Sequence, residues 1–283
     1  MMRLTFSLVA FLLIAGVACA QNIVEPQGPA DWTKPYPPFR IVGNVYYVGT
    51  YDLACYLVTT PQGNILINTG LASSAATIKS NVEALGFRMN DIKILLTTQA
   101  HHDHVGAMSA IKKMTGAKLM VNEKDASVLA DGGKSDYAFG GNNSAFEPMK
   151  SDRLLHDGDT IRLADTQLVM LDHPGHTKGS SSYMLTIESY RVLIVNMPTI
   201  VISKKFSEIQ TYPGIAKDYA RTLSALKELK FDIWLSSHAA QFSMHSKHKP
   251  GDKYDPTVFI DQKGYDKAVK NLQSAFDKKL GEK

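Results

Sequence analysis

Ile92-Lys93-Ile94-Leu95-Leu96 leads directly into Thr97-Thr98-Gln99-Ala100-His101-His102-Asp103-His104-Val105-Gly106. The first five residues read as a strand buried on both faces. The next ten place three imidazoles and one carboxylate within four consecutive positions. Neutral imidazole and carboxylate are, after thiolate, the groups zinc prefers. A turn following a rigid strand can aim alternate side chains into one pocket, so Gln99 and His101 are expected on one side, Asp103 and His104 on another. A polar loop with chance histidines accounts for one such residue but not for this cluster.

A local cluster cannot close a catalytic zinc site, so further ligands must come from distant sequence. His176 lies in His173-Pro174-Gly175-His176-Thr177-Lys178-Gly179-Ser180, a Pro/Gly loop after the strand-like Gln167–Leu171. His238 follows the strand-like Phe231–Leu235 within Ser236-Ser237-His238-Ala239. Both stand just beyond strand ends, where α/β folds gather their sites. His102, squeezed between two candidate ligands, is expected to turn away, and His173 to stand behind the ligands. His156, His245 and His248 lie in polar stretches and are expected in solvent.

Outward from the histidines, strand-like segments recur at Ile41–Val48, Cys55–Thr60, Asn64–Asn68, Lys118–Val121, Thr160–Leu163, Ser182–Ile187 and Arg191–Val195. Pro61-Gln62-Gly63 makes a hairpin turn. Helical spacing marks Ser73–Leu85, Ala107–Met114, Ile215–Leu229 and the charged Asp261–Leu280. Residues 131–152 read as a long loop, and such loops in compact domains are often functional. Strands dominate each half and each half brings in helices, with no repeat or linker between them. An α/β four-layer αβ/βα sandwich accommodates this pattern. A doubly wound sheet fits less well because hairpins are frequent.

Hydrophobic residues make up 44% of the 283 and charged residues 20%, which excludes disordered and fibrous classes. Arg3, the apolar run Leu8–Val17 and Ala18-Cys19-Ala20 before Gln21 have the n-region, h-region and small-residue cleavage site of a secretory signal peptide. The run is too short for a stable membrane anchor. Gly16 stands where a lipoprotein signal usually carries Leu. Residues 1–20 are therefore expected to be removed, leaving 21–283 as one periplasmic domain. Loss of Arg3 takes the net charge from +4 to +3. That balance is mild and no basic run is interleaved with aromatics, so nucleic acid is not implied. Cys55, the one cysteine left after cleavage, cannot form an internal disulfide and reads as a small buried apolar residue.

Together these residues resemble the metallo-β-lactamase superfamily, whose usual signature is His-x-His-x-Asp-His plus later histidines. Asn64-Ile65-Leu66-Ile67-Asn68-Thr69-Gly70 looks like its second hairpin strand. Phe39-Arg40-Ile41, Tyr46 to Asp52, Gly133 to Tyr137, His173 to Ser180, Asn196-Met197-Pro198 and Ser236-Ser237-His238 are similar to subclass B3 enzymes, above all the GOB-type branch. The likeness covers nearly all of residues 21–283.

Carried over by position, the resemblance implies two metal sites holding one or two zinc ions: Gln99, His101 and His176 in the first, Asp103, His104 and His238 in the second. Gln99 departs from the histidine most relatives carry, as in the GOB-type branch, and a neutral amide oxygen is a poorer zinc ligand than imidazole. The second site is therefore expected to fill first. The implied reaction opens the β-lactam ring of an antibiotic with hydroxide made available at working pH by zinc. Asp103 is the expected catalytic residue, and no side-chain nucleophile is needed. Thr199 is expected to help bind the substrate carboxylate. The expected protein is a monomer. Hydrolysis of a lactone or thioester is the alternative within the superfamily, and a non-catalytic zinc-binding protein the alternative of another class. Secretion favours the lactamase, because antibiotics reach the periplasm first.

Overall fold

The computed structural model describes residues 23–282. The expected signal peptide lies outside them. Among the described residues no helix is long and apolar enough to cross a membrane.

The first sheet takes its strands in chain order: β1 (Phe39–Val42), β2 (Val45–Tyr47), β3 (Tyr56–Thr60), β4 (Gly63–Ile67), β5 (Ile92–Leu96), β6 (Lys118–Asn122) and β7 (Arg153–Leu155). Strands β1 to β4 form an antiparallel meander, and β4 to β7 run parallel. The parallel crossovers carry α1 (Ser74–Ala84), α2 (His102–Val105), α3 (Met108–Thr115) and α4 (Ala126–Asp131). The second sheet is built from β8 (Thr160–Leu163), β9 (Thr166–Asp172), β10 (Ser181–Ile187), β11 (Tyr190–Val195) and β12 (Ile233–Ser236), antiparallel except for the parallel pair β11–β12. Helix α5 (Ile215–Glu228) connects β11 to β12, and α6 (Met244–Lys247) and α7 (Gln262–Leu280) complete the chain.

The period-two alternation of the central strands accounts for the layering. Ile65 and Ile67 of β4, with Ile94 and Leu96 of β5, share one buried cluster with Leu168 and Met170 of β9 and Tyr183 and Leu185 of β10. Leu66 and Leu95, one residue out of phase, pack instead with Ile78 and Val82 of α1 and Met108 and Ile111 of α3. On the far side, Trp234 of β12 sits edge-on to Tyr265 of α7 at 5.4 Å and donates its indole N–H to the Asp261 carbonyl at 2.8 Å. Helix, sheet, sheet, helix is the expected four-layer αβ/βα sandwich.

Two local readings need correction. Ile41–Val48 is two strands, because Gly43 takes a left-handed φ of +50° and turns the chain so that Val42 pairs with Val45. The run is apolar enough to hide that turn. The stretch after His101 is a helical turn, α2, with the His104 and Val105 N–H groups donating to the His101 carbonyl, rather than an extended turn that alternates side chains.

Candidate metal centre

The candidate residues meet where strand ends from both sheets are laced together. Asn68, just past β4, accepts the Thr98 N–H with Oδ1 at 2.9 Å. The Thr98 hydroxyl lies 2.9 Å from that of Ser237, and the Thr98 carbonyl accepts the Ser181 N–H at 2.8 Å. The Tyr183 hydroxyl donates to the Thr97 carbonyl at 2.8 Å. These bonds hold the end of β5 against the end of the loop that carries His176 and the start of the one that carries His238.

Asp103, His104 and His238 form one group. Asp103 Oδ2 lies 3.1 Å from His104 Nε2 and 3.4 Å from His238 Nε2, and the three candidate ligand atoms are all within 4.8 Å of one another. The rings of His104 and His238 are perpendicular at 5.0 Å. Burial works against ionisation of Asp103, but His104 and His238 outweigh it and hold the carboxyl well below its usual range. His238 Nδ1 lies 2.9 Å from Asp52 Oδ2. Burial would lower the His238 pKa, yet Asp103 on one nitrogen and Asp52 on the other carry it up to about 9. With no metal bound, that imidazole therefore holds a proton between two carboxylates, at the place where a cation would sit.

His101 and His176 form a second pair, with Gln99 buried two positions before His101. The rings of His101 and His176 are 4.9 Å apart. Asp136 Oδ2 lies 3.3 Å from His101 Nε2, and Asp136 Oδ1 accepts the Ala138 and Phe139 N–H groups. His176 Nδ1 donates to the Thr199 carbonyl at 2.7 Å, which leaves Nε2 as its free nitrogen. Burial, helped by His101, pushes the His176 pKa down to about 3, so the ring is neutral. The Tyr137 hydroxyl donates to the carbonyls of Gly175 and His176 at 2.9 and 3.1 Å. Half-exposed Phe139 stands edge-on to His101 at 4.9 Å and gives the opening an apolar side.

Gln99 Oε1 and both ring nitrogens of His104 are buried without any hydrogen-bond partner. Buried polar atoms are normally satisfied, because leaving one unmade costs about 1–3 kcal/mol. A buried amide oxygen and buried imidazole nitrogens without partners fit a divalent cation such as zinc.

The structure thus brings Asp103, His104 and His238 together and sets His101 beside His176, while Gln99 is buried two positions before His101. Thr199 lies beside them with its hydroxyl 3.2 Å from His176 Nδ1, turned toward that ring. The His102 ring lies 6.1 Å from that of Trp32, and its Nε2 is buried without a hydrogen-bond partner. His173 contacts the Ser182 hydroxyl at 2.7 Å behind the site. His156 is exposed beside Glu123. His245 and His248 are not free in solvent as expected: His245 stacks on Tyr51 at 3.8 Å and His248 on Phe39 at 3.6 Å. Cys55 is buried and burial raises its thiol pKa strongly, in keeping with a packing role. Asp52, Asp125 and Asp136 escaped the sequence reading as site residues. Asp52 and His238 are 186 positions apart, and no local motif announces their pairing.

Residues 49–238 match the metallo-beta-lactamase superfamily. Among solved structures, the class B3 di-zinc metallo-beta-lactamase LRA-12 from an Alaskan soil metagenome is 66% identical, with a TM-score of 0.90 over 92% of this chain and 100% of that one. The metallo-beta-lactamase GOB-18 from Elizabethkingia meningoseptica is 50% identical, with a TM-score of 0.91 over 92% and 98%. A curated "Probable metallo-hydrolase" of Burkholderia pseudomallei is 32% identical over 114 residues, 40% of this chain, and the chain spans only 37% of that relative's length. Matched over most of its length by the family, and in both sheets by class B3 structures, this chain belongs to the metallo-β-lactamase superfamily.

Proposed function

We propose that this chain is a zinc-dependent β-lactamase of class B3, acting in the periplasm after loss of residues 1–20, with 21–283 as one domain. The observation that carries the reading is the group of Asp103, His104 and His238, whose candidate ligand atoms lie within 4.8 Å of one another, with both ring nitrogens of His104 buried and without a hydrogen-bond partner. The 66% identity to a class B3 di-zinc enzyme supports the choice of reaction.

Asp103, His104 and His238 would hold one zinc, and Gln99, His101 and His176 a second. Zinc held there supplies a Lewis acid and lowers the pKa of water toward neutrality. The protein groups do the rest. Asp103, ionised across the working pH range, accepts a hydrogen bond from the attacking water and orients it. Asp52 and the Thr199 carbonyl fix the two distant histidines in the tautomers that leave Nε2 free. Thr199 and the apolar side given by Phe139 border the space a β-lactam would occupy.

The first group sets two neutral imidazoles beside a neutral amide, and the second brings a carboxylate, so the second is the stronger site. Hydrolysis of the chromogenic β-lactam nitrocefin, measured before and after chelation and after zinc is returned, tests the proposal. Activity should vanish on chelation and recover with zinc. Full activity in metal-free protein would refute zinc dependence. Turnover of a lactone or thioester panel without nitrocefin turnover would redirect the substrate class.

A further inference from the structure

Asp125 does not face the candidate ligands. It ends the short turn after β6, its carboxyl is buried, and only 1% of the residue is exposed. Its Oδ2 accepts the Ala100 N–H at 3.0 Å and the Thr177 hydroxyl at 2.8 Å, and its Oδ1 accepts the Gly179 N–H at 2.8 Å. Ala100 lies between Gln99 and His101, and Thr177 follows His176. One carboxylate therefore holds the two chain segments that carry the first ligand group. Those segments come from different sheets, one from the end of β5 and the other from the β9–β10 connection.

The seating is tight. A Cβ on Gly179 would stand 2.6 Å from the Asp125 backbone nitrogen and 2.7 Å from its carboxyl carbon, so the loop can approach only because residue 179 has no side chain. The Thr177 N–H is in turn held by the Ser180 hydroxyl at 2.8 Å. The other ligand group is held differently: Asp103 and His104 ride on α2, and His238 is bonded to Asp52.

We propose that Asp125 is the positioning residue of the Gln99/His101/His176 group, setting the separation of its two loops. The inference rests on the ligand reading given above. Its physical basis is the weakness of the amide ligand. Where donors are strong, metal binding can itself order a loose loop. Gln99 offers a neutral oxygen, so its group depends more heavily on loops ordered in advance. A buried anion that accepts three hydrogen bonds at once supplies that order, and groups behind a metal's ligands commonly control affinity by about 10–100-fold.

The test is zinc titration of the full chain against a chelating dye, resolved into stepwise constants, for wild type, Asp125→Asn, Thr177→Val, Thr177→Ser and His101→Ala. His101→Ala identifies the step that belongs to the first group. Asp125→Asn keeps the shape but turns a donor toward at least one of the three donors. It should weaken that step about 10–100-fold and leave the other within about threefold. Thr177→Val, which removes one of the three bonds to Asp125 together with the hydroxyl contact to Ser180, should shift the same step by less, and Thr177→Ser should restore it. If Asp125→Asn does not fold, the Thr177 pair decides the matter.

Wild-type constants in the folded variants, or equal weakening of both steps, would overturn the role of Asp125. Undiminished zinc uptake by His101→Ala would instead overturn the ligand reading on which it rests.

Discussion

Asp52→Asn separates the ligating tautomer of His238 from the mere presence of the ring. Asp52 Oδ2 accepts from His238 Nδ1 at 2.9 Å and from the Trp32 indole N–H at 3.2 Å, while Oδ1 accepts the Ala240 N–H at 2.9 Å. Burial opposes ionisation of Asp52, but its bonds to His238 and its other donors keep its pKa below the ordinary value, so it is an acceptor only. Nδ1 must then carry the proton and Nε2 is free for metal. An asparagine has one oxygen and one NH₂. If the oxygen stays on Ala240, the NH₂ faces His238 and Trp32. The indole meets a donor, and His238 keeps a bond only by moving its proton to Nε2, the atom that should ligate. If the amide flips, the NH₂ meets the Ala240 N–H instead. The first arrangement costs metal affinity, about 10–100-fold for a group of this kind, or about 1.4–2.7 kcal/mol at 1.36 kcal/mol per decade. The second costs stability, about 1–3 kcal/mol for an unpaired donor. The two are comparable, so both should be populated. Zinc competition should show a weakened Asp103-side step, and chemical denaturation a lower stability of the metal-free protein. Zinc affinity within threefold of wild type, with unchanged stability, would show that Asp52 does not set the state of His238.

Gly175→Ala should loosen the His176 loop: Gly175 has φ +133°, and a Cβ there would stand 2.9 Å from the Tyr219 ring, so zinc titration should show a weaker first-group step while the Asp103-side step stays unchanged. Asp172 accepts bonds from Lys124, Arg221 and Asn122 that together outweigh its burial and lower its pKa. A depressed carboxylate contributes stability above its unfolded pKa of about 3.9 and loses it as pH falls through the folded value. Thermal melts of Asp172→Asn and wild type should therefore differ at pH 7 and converge below about pH 4. A gap that persists at pH 2–3 would assign the loss to shape rather than charge.

The parts of this protein legible in its sequence are those whose cause is local. The layering follows from Ile65, Leu66 and Ile67 alternating between two cores, and a strand reading needs only that short-range alternation. The histidine cluster is legible because Gln99 to His104 carry their chemistry within one turn. His176 and His238 could be reached by a weaker rule, that they follow strands. The rule holds because Thr98 is bonded to Ser237 and to Ser181, bonds which align three strand ends that the chain separates widely. What could not be read are the second partners. Asp52, Asp125 and Asp136 are ordinary aspartates by composition and spacing, and each acquires its role from contacts across the fold. His245 and His248 show the converse. Their polar neighbours suggest solvent, yet the aromatic rings of Tyr51 and Phe39, about 200 residues upstream in sequence, give each imidazole a face to stack on. The ligands lie on strand-end loops that a sequence can point to. The carboxylates holding those ligands lie on whichever element packs behind the loop, and only the closed sandwich decides which element that is.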